Sequence, residues 1–188
     1  ISGKAGSYSS AGFSNDNNSF FYISNVGKEF AYLMEYEMSS GGSSVLFETN
    51  WDIMYSYLSK GEKYRVIGIN EDGKNTLKVF DQLENKQIDF PLFDDGDIIG
   101  LEFSETESKI RLSVGSSKMP NNLYVYDLIT KSLIKLTNSL NPKIDSEDLV
   151  QAKVIRYQSF DELEIPAIFY KPLQASKNNK VPALVWVH

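Results

Sequence analysis

Three serines, Ser14, Ser59 and Ser104, recur at intervals of 45 residues, and each opens the same pattern. The segments are FSNDNNSFFYISN from Phe13, LSKGEKYRVIGIN from Leu58 and FSETESKIRLSVG from Phe103. Each holds an apolar residue, the serine, a few polar turn formers and then an alternating apolar run, which is how a β-hairpin reads. A third strand follows in each unit: FAYLMEYEM (30–38), NTLKVFDQL (75–83) and NNLYVYDL (121–128). Their acidic residues Glu35, Asp81 and Asp127 are again evenly spaced, 46 residues apart. A fourth strand comes after a short turn, as VLFET (45–49), QIDFP (87–91) and LIKLT (133–137).

Four strands per unit of about 40 to 50 residues is the period of a β-propeller blade. The composition agrees: aromatics make up 13% of the chain, with 11 Tyr and 11 Phe, and aromatic side chains pack well on pleated sheets. The fold expected is therefore all-β, a partial β-propeller of about three four-stranded blades. Residues 1–12 are a lead-in or the end of a preceding blade, and the blades occupy 13–50, 51–95 and 96–138. Strands entering the second and third blades are WDIMYSYLS (51–59) and DIIGLEFS (97–104), with Ile98, Ile99 and Leu101 suited to the core between blades. The competing architecture is a β-sandwich with even spacing by accident.

The repeat stops at Thr137. Residues 139–150 read as a polar linker with one helical turn at Asp145 to Leu149. VIRYQSF (154–160) and LEIPAIFYKP (163–172) read as a hairpin about Asp161 and Glu162. VPALVWVH (181–188) begins with a run that is apolar on both faces, as in a strand buried inside an α/β sheet. Leaving Val181, Leu184, Val185, Trp186 and Val187 in water would forfeit on the order of 10 kcal/mol. The expectation is that this strand packs against a sheet, against the propeller or against another molecule.

The formal net charge of -6 and the lack of any Lys/Arg cluster argue against nucleic acid as a partner. There is no cysteine, so disulfides and thiolate metal sites are excluded, and no apolar run approaches the roughly 18 residues that span a bilayer. A soluble chain with no membrane partner, no cofactor and no metal is expected. FDDGD (93–97) has the look of a calcium loop, but an EF-hand needs longer ligand spacing and a distal Glu; an inter-blade turn explains Asp94, Asp95 and Asp97 better. Glu35 and Glu37 share a strand face, as acid/base carboxylates would, and the repeat accounts for them more simply. Trp51, Tyr55 and Tyr57 alternate on one strand face, suited to a channel wall or, more simply, to core. Arg65, Arg111 and Arg156 are the arginines, and any that faced a cavity could hold a peptide carboxylate.

The order of blades, polar connector, hairpin ending in Lys-Pro and apolar strand closing on His188 resembles the prolyl oligopeptidase family of serine peptidases. VIRYQSFDELEIPAIFYKP and KVPALVWVH carry the likeness, which is nearest to acylaminoacyl-peptidase-like and dipeptidyl-peptidase-like members. The resemblance implies that the chain holds the last three blades of a usually seven-bladed propeller, followed over residues 151–188 by the first strands of an α/β-hydrolase domain. It also implies a Ser-His-Asp triad, a Gly-x-Ser-x-Gly elbow and peptide substrates gated by the propeller. His188 falls where the family's oxyanion-loop His-Gly-Gly-Pro segment begins. Asp161-Glu162 stands where Asp-Gly is common, which alters the turn type rather than the chemistry. No Gly-x-Ser-x-Gly occurs here, so no catalytic residue is expected in this chain and it should be inactive alone. Beginning on Ile1, it reads as a piece of a longer protein, cytoplasmic in preference to periplasmic, whose open blade edges favour self-association. The rival readings are a non-catalytic β-propeller interaction module and a carbohydrate-acting propeller enzyme that uses carboxylates.

Overall fold

A serine followed five residues later by a strand builds its own turn. In the computed structural model, which describes residues 5–91, 93 and 96–186, the hydroxyls of Ser14, Ser59 and Ser104 accept from the backbone N–H of Ser19 (2.9 Å), Tyr64 (2.9 Å) and Lys109 (3.1 Å). The N–H groups of Asn17, Glu62 and Glu107 return to the serine carbonyls, each at 2.9 Å. Those three residues take positive φ (57°, 59° and 54°), a left-handed conformation that any residue with a Cβ enters at a cost. The 45-residue repeat is thus a repeated turn.

Three four-stranded antiparallel sheets grow from these turns. Sheet I runs β1 (Tyr8–Phe13), β2 (Ser19–Ser24), β3 (Tyr32–Glu37) and β4 (Ser43–Phe47). Sheet II runs β5 (Asp52–Leu58), β6 (Tyr64–Glu71), β7 (Lys74–Asp81) and β8 (Lys86–Gln87). Sheet III runs β9 (Asp97–Phe103), β10 (Lys109–Gly115), β11 (Asn122–Asp127) and β12 (Leu133–Lys135). Each pairs in chain order, as a meander does. Tyr8 to Gly12, within the stretch 1–12 read as a lead-in or the end of a preceding blade, joins Phe13 in β1 and pairs with β2 in sheet I.

Two cores join the sheets. Between sheets I and II lie Phe21, Ile23, Leu33, Ile53, Ile67 and Ile69; between II and III lie Tyr64, Val66, Val79, Leu101, Ile110, Leu112 and Val114, among others. The central strand β6 serves both, because successive side chains point to opposite faces: Tyr64 and Val66 turn to sheet III, Ile67 and Ile69 to sheet I. Gly68 has no side chain because Tyr55 lies over it, and a Cβ there would overlap the ring.

Pairing also corrects the sequence reading. Asp81 stands opposite Tyr64 and Asp127 opposite Lys109, and the residue opposite Ser19 is Glu37, not Glu35. Glu37 also closes the same turn as Asp127, through Gly41 N–H to its carbonyl at 2.9 Å, matched by Lys131 to Asp127 at 2.9 Å. The even interval through Glu35 is coincidental, since the loop between β2 and β3 and the tight Asp72-Gly73 turn between β6 and β7 differ in length. Bulges shift the register between Ser10 and Gly12, between Ile53 and Tyr55, and opposite Ser113/Val114. The second separates Trp51 from Tyr55 and Tyr57: Trp51 packs on the core between sheets I and II, and Tyr57 on the other. The third leaves Ile99 42% exposed while Leu101 is buried.

After sheet III comes one turn of 3-10 helix, Ser146–Asp148, capped by Asp145, whose carboxylate accepts from Glu147 N–H at 2.9 Å. The expected hairpin forms as β13 (Lys153–Gln158) paired with β14 (Glu164–Phe169). Glu162 sits at φ 67°, three residues after Ser159, reproducing the serine turn in shorter form. The buried strand expected at 181–187 is not formed over its described part: residues 181–186 carry no strand, and Leu184, Val185 and Trp186 are at least 80% exposed. A strand buried on both faces needs a paired neighbour and packing on each side, and no described part of the chain supplies them. No α/β-hydrolase sheet is therefore present among the described residues. Val187 and His188 lie outside them.

Leu112, fully buried between sheets II and III, tests this core. Leu112→Ala should lower unfolding free energy by about 2 to 5 kcal/mol in urea titrations, whereas Leu83→Ala, at a position 84% exposed, should change it by less than about 0.5 kcal/mol.

Candidate functional site

The residues singled out for chemistry are distributed by the sheets into separate places. Arg65 follows the first buried residue of β6 and turns toward sheet I. Its side chain is 4% exposed, its guanidinium carbon is 4.0 Å from the centroid of the Phe21 ring, and Nε donates to Gln82 Oε1 at 3.3 Å. Nη1 is buried with no hydrogen-bond partner. Burial pulls its pKa from 12.5 down to about 10, opposed by the nearby charges of Glu35 and Glu62. The group is an inter-sheet wedge, enclosed on the aromatic ring, and not an open carboxylate receptor.

Arg111 and Arg156 are both committed to ion pairs. Arg111 Nη2 lies 2.9 Å from Glu102 Oε2. Arg156, on β13, reaches Asp72 Oδ1 at 2.7 Å and Glu164 Oε1 at 3.1 Å, tying the hairpin to the β6–β7 turn of sheet II. Ala152 N–H donates to Ser117 Oγ in the β10–β11 loop at 2.8 Å. The hairpin therefore docks on the β6–β7 and β10–β11 connections of two adjacent sheets, a junction the sequence did not reveal because Asp72 and Arg156 lie 84 residues apart.

The opposite ends of the hairpin-forming strands carry a chain of polar clips. Glu62 accepts from Asn15 N–H, and Glu107 Oε1 accepts from Gly61 N–H at 2.6 Å. Asn15 Nδ2 donates to the Lys60 carbonyl at 2.8 Å, and Lys60 pairs with Glu105. The serine turns of sheets II and III thus each hold the turn of the sheet before, and the two glutamates that do so are the ones at positive φ.

Glu35 and Glu37 line an open cleft with Ser19, Gly42, Ser43 and Ser44. Ser19 Oγ donates to Glu35 Oε1 at 2.6 Å, and the Ser40 and Ser39 hydroxyls hold the Glu37 carboxyl below its ordinary range. None of the six lining residues is apolar, in contrast with the apolar walls of small-molecule sites. Nothing here pairs an acid with a base. Tyr57 is instead a structural tyrosine: its hydroxyl donates to the Leu101 carbonyl of sheet III at 2.8 Å, and burial pushes its pKa up to about 12. Asp94 and Asp95 of FDDGD lie outside the described residues, and Asp97 opens β9. Among the described residues no group of three His, Cys, Asp or Glu side chains could hold a metal ion, and no helix is long and apolar enough to cross a membrane.

The family model for the prolyl oligopeptidase N-terminal β-propeller domain matches residues 13–139. No curated protein matches the chain. Among solved structures it is similar to a prolyl endopeptidase analysed for inter-domain dynamics, with TM-score 0.73 and 14% identity over 94% of this chain and 26% of that one. It is similar to prolyl oligopeptidase B from Galerina marginata bound to a 25mer macrocyclization substrate, with TM-score 0.67 and 15% identity over 87% of this chain and 23% of that one. A puromycin-hydrolyzing peptidase of Mycobacterium tuberculosis gives TM-score 0.67 and 13% identity over 95% of this chain and 28% of that one. At these identities the likeness is one of fold, and the chain spans about a quarter of the length of the structures it matches.

This geometry has two measurable consequences. The folded pKa of Tyr57 is raised above its unfolded value of 10, so its contribution to stability is complete below pH 10 and is lost as pH rises through about 12. Tyr57→Phe should be less stable at pH 7 by about 1 kcal/mol, having lost the bond to Leu101, and its stability should fall less steeply than the wild type's above pH 10. Asp72→Asn should leave the global unfolding midpoint within about 1 kcal/mol of wild type, because the ion pair is partly exposed, and should speed protease cleavage around the 139–152 linker as the hairpin loosens.

Proposed function

Because the chain belongs to the prolyl oligopeptidase family through its N-terminal β-propeller domain, we propose that it is the substrate-gating part of a serine peptidase that hydrolyses short peptides by acyl transfer. The observation that carries the reading is the family match over residues 13–139 on a chain folded as three like sheets held face to face. In this reading sheets I, II and III are three propeller blades, 139–150 is the linker, and 151–188 is the entry to an α/β-hydrolase domain. The docked β13–β14 hairpin supports that order: it follows the sheets and is tethered to two of them by Arg156 and Ala152.

The chain contributes no nucleophile or base to the reaction. Its part is steric and positional: a stack of sheets excludes large substrates, and the hairpin fixes where the next domain begins. The serine elbow, the triad and the oxyanion loop that His188 would open belong to sequence beyond this stretch. Acylaminoacyl-peptidase-like or dipeptidyl-peptidase-like specificity and a cytoplasmic setting complete the proposal, with peptide as the substrate and no nucleic acid or membrane partner. Open sheet faces at either end also favour association of the isolated chain with itself. A non-catalytic β-propeller interaction module is the second reading, with which the family match over the sheets alone is equally compatible.

The test is chemical. The full-length gene product should hydrolyse N-acyl-peptide p-nitroanilides and be labelled by a fluorophosphonate, while residues 1–188 alone should do neither. A full-length product that resists labelling and leaves every such peptide intact would favour the interaction module.

A further inference from the structure

The backbone of β5 runs against β1, β2 and β3, and that of β9 against β7. Tyr57 of β5 also reaches the Leu101 carbonyl of β9 at 2.8 Å. Among the described residues the last strands β4 and β8 run against no neighbouring sheet, and the polar cleft at Glu35 and Glu37 opens beside β4. The sheets therefore converge at their first strands and splay at their last, as blades about an axis do. β5 and β9 are edge strands, so each turns one unpaired edge toward that axis.

Both edges are bulged at the same place. The ladder passes from Ile53 opposite Ile69 to Tyr55 opposite Gly68, which leaves Met54 unpaired, and from Ile98 opposite Val114 to Gly100 opposite Ser113, which leaves Ile99 unpaired. The two lie one repeat, 45 residues, apart. Met54 is 56% exposed although sheet II has a sheet packed on each face, so its exposure belongs to the place and not to a missing neighbour. Ile99 holds the equivalent place and is 42% exposed. A bulge re-aims a side chain and guards an edge against pairing, but it does not require that side chain to be apolar. Edges left to water are commonly guarded by charge, and sheet I carries Ser9 at this place.

We propose that Met54 and Ile99 are paired contacts for an apolar side chain of the peptide substrate, which passes them in extended form along the axial edges of β5 and β9. The proposal rests on the reading of the sheets as propeller blades of a peptidase, and adds to it what the peptide must carry. Met54 lies two residues into β5 from Asp52, about 7 Å along the strand. Asp52 pairs with Asn70, beside the Asp72-Gly73 turn on which the hairpin docks. The two apolar side chains thus stand just inside the hairpin end of the stack. A folded layer seated on that end meets the connections, as the hairpin does at Asp72 and Ser117, whereas a side chain below them on an edge is within reach of a single extended strand. Free edge groups accept such a strand, and alternate side chains then provide the selection. The unbranched thioether of methionine adapts to partners of different shape, so the selection is for apolar side chains as a class. A polar side chain in the same place loses water without gaining a partner.

The test uses the full-length gene product and fluorescently labelled peptides of about ten residues, identical except for Leu or Ser at one position scanned along the peptide. Affinity is read by fluorescence anisotropy, and circular dichroism confirms that each variant is folded. At one position the wild type should bind the Leu peptide about tenfold more tightly than the Ser peptide. Met54→Ser/Ile99→Ser should bring the two affinities within about twofold. Met54→Leu should keep the preference, as should Leu83→Ser at the β7–β8 turn. Should the double variant fail to fold, either single serine variant serves in its place and should cut the preference to about threefold. Equal wild-type affinity for Leu and Ser peptides at every position, serine variants that keep the full preference, or a Leu83→Ser that loses it would each overturn the proposal. Hydrolysis of p-nitroanilides decides the peptidase reading separately. A product that cleaves them and shows no preference sinks the proposal alone; one that binds with the preference and cleaves nothing sinks the peptidase reading alone.

Discussion

The structure depends on one strand, β6, being buried on both of its faces. β6 is buried from Tyr64 through Ile69, and its alternate side chains enter two different cores. No helix covers these sheets among the described residues, so the packing that would elsewhere come from a second layer must come from the next sheet. Each aliphatic side chain fully buried there is worth roughly 1.5 to 3 kcal/mol. Small departures from simple alternation are therefore accommodated instead of avoided. Gly68 gives up its side chain so that Tyr55 can fill the space, and the bulge after Ile53 turns Tyr55 and Tyr57 toward sheet III.

Polar contacts then set how the sheets sit against one another. Apolar packing is tolerant of sliding, whereas a hydrogen bond is directional. Glu62 and Glu107 hold the same position in their own turns and each grips the preceding turn, Glu62 at the N–H one residue after its serine and Glu107 at the N–H two residues after, which limits sliding between sheets. Arg65 shows what such a joint can absorb. A guanidinium with an unpartnered nitrogen is costly to bury, and the Phe21 ring, Gln82 and the nearby carboxylates offset part of that cost. Replacing it by an aliphatic side chain need not weaken the fold, so its value lies in geometry.

The serine turns and the hairpin joined to sheets II and III through Arg156 and Ser117 lie at different connections of the same strands. Turns that hold one another leave the other connections free to carry a different job. The exposed Leu184, Val185 and Trp186 beyond the hairpin are of the composition that a buried strand needs, in a chain whose described residues offer them no neighbours.

Strand identity within the repeat, the fourfold strand count per repeat, the hairpin at Asp161-Glu162 and the capped turn at Asp145 were legible in the sequence, because each is decided by residues close along the chain, whereas the strand expected at 181–187, which depends on distant neighbours, is not formed over its described part. A serine, polar turn formers and an alternating run contain their own hydrogen-bonding instructions. Register and direction were not legible in the same way. Glu35 and Glu37 differ by two residues and share a face, and only pairing across β2 shows that Glu37 is the counterpart of Asp81 and Asp127. Trp51, Tyr55 and Tyr57 alternate perfectly in sequence, and a single bulge sends them to different cores. The three arginines look alike on paper, yet one is buried on an aromatic ring and two are held by carboxylates. What the amino-acid order determined by itself was local: turn, strand and period. What only the tertiary structure decided was which face meets which, because that depends on partners tens of residues away and on bulges whose placement no local pattern specifies.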